Sequence, residues 1–182
     1  MTQPEPDRFV FRPIGVIRTP YAEPAGTPIQ GALAAEVPGT VEVDPALADG
    51  LADLDGFSHV ILLYAFHRSE GFALTVTPYL DDEQRGLFAT RAPRRPNPIG
   101  LTVVRLRSVE GTTLHVAGVD MLDGTPLLDI KPYTPTFDAP PDPMNGWMAT
   151  HLDARARGAT VRDVADERFH GEAERKRDSS SA

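Results

Sequence analysis

The sequence predicts a mainly β protein: a single small barrel of short strands, a few helices and a C-terminal helical extension. Three observations carry this expectation. Up to Tyr133 the chain holds about eight short strand-like runs and little helix, with Gly, Pro and Asp between them. One run, "FSHVILLYAFH" from Phe57 to His67, is apolar throughout, as a strand covered on both faces is. Helical pattern begins only after the proline-rich "TPTFDAPPDP" at 134–143. Many short strands in succession favour a closed or partly closed sheet.

In chain order, residues 1–8 read as a tail, and "FVFRPIGVIR", Phe9 to Arg18, reads as a strand interrupted by Pro13, since proline marks an edge or a bulge. Residues 19–40 are rich in Pro, Gly and Ala with little periodicity, a length of loop that is usually functional. Thr40 to Asp44 alternates as a short strand, and Asp44-Pro45 is placed to cap a short helix through Gly50. Phe57 to His67 is the central strand. "ALTVTPY" and "GLFAT" are expected as further short strands. Ile99 to Met121 reads as two strands joined at Glu110-Gly111, and Leu127 to Tyr133 as a strand after the Asp123-Gly124-Thr125-Pro126 turn. Met144 to Arg157 and Val161 to Arg177 read as helices on either side of Gly158, followed by a disordered "RDSSSA". The expected organisation is a tail at 1–8, a barrel at 9–140, a helical extension at 141–177 and a tail at 178–182.

At 182 residues the chain is long enough for one domain with a sizeable core, a domain near this size burying roughly 70% of its unfolded surface. The absence of cysteine excludes disulfides, thiolate catalysis and cysteine-bound zinc, and fits a reducing compartment. "MTQPEPDRF" has no basic start followed by an apolar run, so no signal peptide is expected. Val60 to Phe66 is too short to span a bilayer, and the expected location is the cytoplasm. His59 and His67 share a strand face but lie about 26 Å apart, too far to share an ion, so no metal is expected. His67 ends its strand beside Arg68, where loops build sites. No dinucleotide fingerprint, phosphate-binding loop, zinc-protease motif or nucleophile elbow is present.

Charge is unevenly distributed. The net charge is -8, yet Gln84 to Arg107 holds six arginines and no acid. Within it lies "FATRAPRRPNPIG", Phe88 to Gly100. Ala92, Arg95 and Asn97 each precede proline and are pushed toward extended conformations, while Pro93, Pro96 and Pro98 fix their own φ. A stiff arch results, able to present the guanidinium groups of Arg91, Arg94 and Arg95 and the amide of Asn97 to a carboxylate or phosphate. Gly100 admits a close approach before the next strand. The plainer reading is a solvated loop whose prolines end an edge strand. A second constellation is "DMLDGTPLLDIKPY", Asp120 to Tyr133. Asp129, Lys131 and Tyr133 fall on one strand face, either as a satisfied ion pair or as a proton-transfer set with Asp129 as base.

Four blocks, "PIGVIRTPY", "FSHVILLYAFH", "GLFATRAPRRPNPIGLTVVRL" and "MLDGTPLLDIKPY", occur in the order found in the TrmO (TsaA-like) family, which the chain resembles from Phe9 to Tyr133. The resemblance implies a β-barrel methyltransferase that uses S-adenosylmethionine without a dinucleotide fold, acts as a homodimer, and methylates N6 of threonylcarbamoyladenosine beside the anticodon of tRNA. It implies cofactor contacts at Gly31, Ala32, Leu33, His67, Arg68, Arg91, Leu101, Leu122, Asp123, Gly124 and Thr125. With it, Asp129 and Tyr133 become the catalytic candidates, and Arg94, Arg95, Asn97 and Lys131 the substrate-binding ones. No tRNA contact of the family carries over to residues 134–182. Two other readings remain: methylation of a small nucleoside or metabolite, which the acidic body favours, and a non-catalytic module that binds nucleotides or anions through the arch.

Overall fold

The computed structural model describes residues 9–156. The expected tails and the helix from Val161 to Arg177 lie outside the described residues. Eight strands form: β1 (Gly15–Arg18), β2 (Pro38–Val43), β3 (His59–Ala65), β4 (Thr75–Val76), β5 (Arg85–Gly86), β6 (Ile99–Glu110), β7 (Thr113–Ala117) and β8 (Thr125–Pro132). Six close into a barrel in the order β1-β2-β7-β6-β3-β8, while β4 and β5 pair separately. Every barrel pairing is antiparallel. Closure leaves the barrel without a free edge.

The interior is filled by alternate residues of each strand, among them Ile17, Val41, Val60, Leu62, Val104, Leu114 and Leu127, all at most 1% exposed. Here the structure corrects the sequence reading. The run from Phe57 to His67 is not covered on both faces: Val60, Leu62 and Tyr64 are buried, while Ile61, Leu63 and Ala65 are half-exposed. The outer face of this strand thus carries apolar residues that are only partly covered. Their β6 neighbours Ile99, Leu101 and Val103 are 39%, 48% and 38% exposed.

A register shift between Leu63 and Tyr64 inserts one extra residue into β8, so that Tyr64 faces Leu127 and Leu63 faces Asp129. Such a bulge changes which face of the strand looks inward. Leu127 therefore points into the core while Asp129 and Lys131 point out.

Other elements differ in detail. Pairing begins only at Gly15, and Phe9, Val10 and Phe11 stand exposed, because Pro13 has no N–H to give a ladder. "GLFAT" is not a strand: Leu87–Ala89 is a single 3-10 turn that follows β5. Asp44 does cap the next segment, its side chain accepting from Ala46 N, but that segment (Pro45–Leu51) is a 3-10 helix. The C-terminal part contributes α1 (Pro135–Asp138), a 3-10 turn at Gly146–Met148 and α2 (Ala149–Ala156). It docks on the arch and on the β4-β5 lobe: Trp147 Nε1 donates to Ala89 O at 2.8 Å, and Arg85 stacks over the Trp147 ring. Arg85 also forks onto Asp81, holding that carboxyl below the usual carboxylate range.

Candidate active site

Four segments distant in sequence meet at one end of the barrel: the β1–β2 loop, the residues after β3, the arginine-proline arch, and the stretch from Gly118 to Thr125. Asp123 N donates to Tyr21 O and Gly124 N to Ile17 O, while Asp123 Oδ1 accepts from Thr19 N at 3.1 Å. Gly124 turns with φ of 75°, a conformation that suits glycine. Arg68 Nη1 donates to Ala22 O at 2.8 Å and pairs with Glu23. Thr125 Oγ1 gives its proton to Leu122 O at 2.7 Å, so His67 Nδ1, 3.5 Å from the same hydroxyl, is the donor there. The arch is tied to β3 by Phe66 N to Pro98 O and by Ser69 Oγ to Pro93 O. Two three-residue turns, Arg95 N to Pro93 O and Ile99 N to Asn97 O, give the arch its shape.

At the centre is a group that the sequence reading did not single out. Asp120 is half-buried, and its two carboxylate oxygens accept from Thr102 Oγ1 at 2.6 Å and Gly31 N at 2.7 Å. Thr102 has one proton and gives it to Asp120, so Tyr64 must donate in the 3.0 Å bond between the two hydroxyls. Burial pushes the Asp120 carboxyl up, opposed by these hydrogen bonds and by the positive charge of Arg91. Burial likewise pushes the Tyr64 phenol far above its ordinary value. The relay Tyr64–Thr102–Asp120–Gly31 thus fixes the backbone of the Gly31–Leu33 turn from inside the barrel. Two glycines make room for it. A Cβ at Gly31 would stand within 3.0 Å of Gly118 O, and one at Gly100 within 3.0 Å of the Tyr64 ring. What Gly100 admits is therefore the tyrosine. The local sequence shows only an acid set between the apolar Val119 and Met121, which says nothing of its partners.

Arg91 Nη1 donates to Gln30 Oε1 at 2.7 Å, joining the arch to the residue before the Gly31–Leu33 turn. Arg95 folds back, donating to Thr90 O at 3.1 Å and lying over the Phe88 ring. Of the other arginines in this stretch, Arg85 and Arg107 are paired with acids. Arg94 and Asn97 are exposed, and the Arg94 side chain has no partner among the described residues.

The remaining predicted residues lie on the outer face of the barrel. Asp129, Leu63 and Leu101 form one row across β8, β3 and β6. Asp129 pairs with Lys131 at 2.7 Å. Tyr133 packs edge-on against His59 instead. Tyr133 and His59 share a cleft of about 380 Å³ with Gly31, Ala32, Val103 and Arg105. The Gly31–Leu33 turn therefore touches both the barrel-end group and the outer face. Another cleft, of about 540 Å³ between Arg18 and Arg107, contains none of the predicted residues.

The sequence from residue 16 to 139 matches the tRNA-methyltransferase O N-terminal domain. The chain belongs to the TrmO family. A relative in Pyrococcus abyssi, named a probable S-adenosyl-L-methionine-binding protein, is 52% identical over 147 residues, 81% of this chain and 80% of that protein. A mouse tRNA (adenine(37)-N6)-methyltransferase is 36% identical over 75% of this chain but only 33% of its own length. The crystal structure of TrmO from Pseudomonas aeruginosa superposes with a TM-score of 0.67 at 42% identity, covering 77% of this chain and 62% of that one. The TrmO barrel is thus the fold of this chain, and the residues that build the barrel end lie within the matched region.

The donor set fits the methyl donor of the family. An exposed guanidinium at Arg91 suits its carboxylate, the backbone of the Leu122–Thr125 turn suits an adenine edge, and the exposed Leu101 offers apolar contact. Among the described residues no three His, Asp or Glu groups converge on a metal site, and no helix is long and apolar enough to cross a membrane.

Proposed function

We propose that this chain is an S-adenosylmethionine-dependent methyltransferase that modifies N6 of threonylcarbamoyladenosine beside the anticodon of tRNA. The observation that carries the reading is the convergence of the arch, the Gly31–Leu33 turn and the Leu122–Thr125 turn on one barrel end, in a chain of the TrmO family. When bound, the cofactor supplies a methyl group on a positively charged sulfur. The protein's own task is placement, because an in-line displacement requires the nucleophile at about 3–3.5 Å and aligned.

In this reading Arg91, braced by Gln30, holds the donor's carboxylate. Gly31, Ala32 and Leu33, set by Asp120, form one wall. His67, Arg68, Leu101 and Leu122 to Thr125 complete the contacts. The N6–H of a carbamoylated adenine is more acidic than that of a plain exocyclic amine, so a weak base suffices to take the proton. Asp129, paired with Lys131, and Tyr133 are the candidates. Arg94, Arg95, Asn97 and Lys131 face the threonyl carboxylate or the RNA phosphates. The exposed apolar row of Ile99, Leu101 and Val103 supports assembly as a homodimer that covers it. Sedimentation of a Val103→Glu variant as a monomer, against a wild-type dimer, is the expected result. A cytoplasmic location follows from the substrate.

The experiment is mass spectrometry of tRNA nucleosides from cells lacking the gene. Loss of N6-methylated threonylcarbamoyladenosine, restored by the wild-type chain and not by Arg91→Ala, is expected; an unchanged nucleoside profile overturns the assignment. Calorimetry of the Arg91→Ala variant checks the cofactor separately, and undiminished affinity would remove Arg91 from the site. The net charge of -8 favours a second reading, methylation of a small nucleoside. The two differ in salt response, since contacts to RNA phosphates make affinity fall steeply with salt.

A further inference from the structure

The arch carries one side chain whose exposure the barrel does not explain. Phe88 sits in the middle of the Leu87–Ala89 turn with 75% of its surface open. The turn is fixed on every side of it. Leu87 is buried at 1% exposure, and its N–H donates to Leu74 O at 2.9 Å. Leu87 O accepts from both the N–H and the hydroxyl of Thr90, at 3.0 and 2.8 Å. Ala89 O accepts from Trp147 Nε1 at 2.8 Å. A large apolar ring is therefore held out in solvent on a rigid turn, with little conformational freedom left to lose on contact.

The surroundings say which partner suits it. The Arg95 guanidinium lies 5.6 Å from the ring centroid and is itself held by the carbonyls of Thr90 and Ala92. Arg94, next to it, is exposed and has no partner among the described residues. No acid occurs between Gln84 and Arg107. An aromatic face backed by one guanidinium and flanked by another matches the chemistry of an unpaired nucleobase and its phosphate. Bases stack on aromatic side chains with little regard to sequence, and arginine answers the backbone charge. A second copy of this chain fits less well, since its own arch would bring the same acid-free, arginine-bearing segment, like charge against like.

We propose that Phe88 is a stacking platform for an unpaired base of the RNA substrate adjacent to the one methylated, with Arg95 stiffening the ring and Arg94 on the neighbouring phosphate. This rests on the tRNA reading above. The ligand class is single-stranded RNA of a hairpin loop.

The test uses the full chain and an anticodon stem-loop RNA carrying 2-aminopurine beside the target adenosine. In the wild-type complex the probe's fluorescence is quenched by stacking. Phe88→Ala is expected to weaken RNA binding about tenfold to a hundredfold, the range for loss of one base–aromatic stack, and to abolish the quenching. Phe88→Trp keeps both. The slope of affinity against salt stays unchanged in Phe88→Ala, because the ring carries no charge, and falls by about one in Arg94→Ala. Cofactor affinity and sedimentation remain those of wild type in all three. Unchanged RNA affinity in Phe88→Ala overturns the proposal. So does a loss traced to weaker cofactor binding, or to dissociation into monomers, which would make Phe88 an interface residue. If the wild-type chain binds no tRNA stem-loop, the tRNA reading itself fails; if it binds and Phe88→Ala binds equally, only the platform fails.

Discussion

Gly31→Ala probes the centre of the site with a single methyl group. The added Cβ would stand within 3.0 Å of Gly118 O and 3.1 Å from Thr102 Cγ2, and a backbone carbonyl cannot rotate away as a side-chain tip can. The turn must retreat, breaking the 2.7 Å bond from Gly31 N to Asp120. Loss of a hydrogen bond to a half-buried carboxylate costs about 1.5–3 kcal/mol, and overpacking a tight site about 1–3 kcal/mol. Mid-range values together give about 4 kcal/mol, or a fall of about 8–16 °C in melting temperature for a chain of this size. Because the same turn forms a wall of the cofactor site, loss of one contact there weakens binding about tenfold. Gly50→Ala is the control: a Cβ there meets nothing within 4 Å. Differential scanning calorimetry and titration calorimetry read both effects. A Gly31→Ala protein that melts with the wild type and binds the cofactor equally would refute the claim that Asp120 sets this turn.

Asp120→Asn should show a pH-dependent difference from wild type. The folded carboxyl titrates above its unfolded value, so its contribution to stability is present below the ordinary carboxylate range and is lost as pH rises through the raised value. Urea melts of both proteins from acid to neutral pH should find the wild-type advantage shrinking upward; a constant difference contradicts burial of an ionisable group. Tyr64→Phe removes the hydroxyl that donates to Thr102 but keeps the ring against Phe66 and Gly100, and should cost about 1 kcal/mol by the same melts. Trp147→Phe removes the bond to Ala89 O; hydrogen exchange of residues 87–98 should accelerate, and unchanged protection would mean that the C-terminal segment does not brace the arch.

The barrel was legible because alternation along β2, β6 and β7 and the turn residues at Gly111 and Gly124 are local signals. The Asp123-Gly124 bend and the prolines of the arch were legible for the same reason. Asp120 was not, because its role comes from Thr102 and Gly31, 18 and 89 residues away, and no local pattern encodes that meeting. The exposure of the outer face of β3 was missed because an apolar run looks alike whether this chain or another molecule covers it. "GLFAT" was misread since Leu87 turns inward while Phe88 turns out, an alternation that one 3-10 turn produces as readily as a strand does.

The extra residue in β8 has a consequence for how the barrel tolerates change. Deleting Leu128 would restore even pairing with β3 and leave every pair beyond it in place, Asp129 and Lys131 outward and Ile130 inward, whereas deleting a paired residue such as Ile130 would turn the chain beyond it onto the opposite face. A residue can therefore be lost at this one point of the wall without inverting its faces, whereas the paired positions on either side must keep the ladder in step.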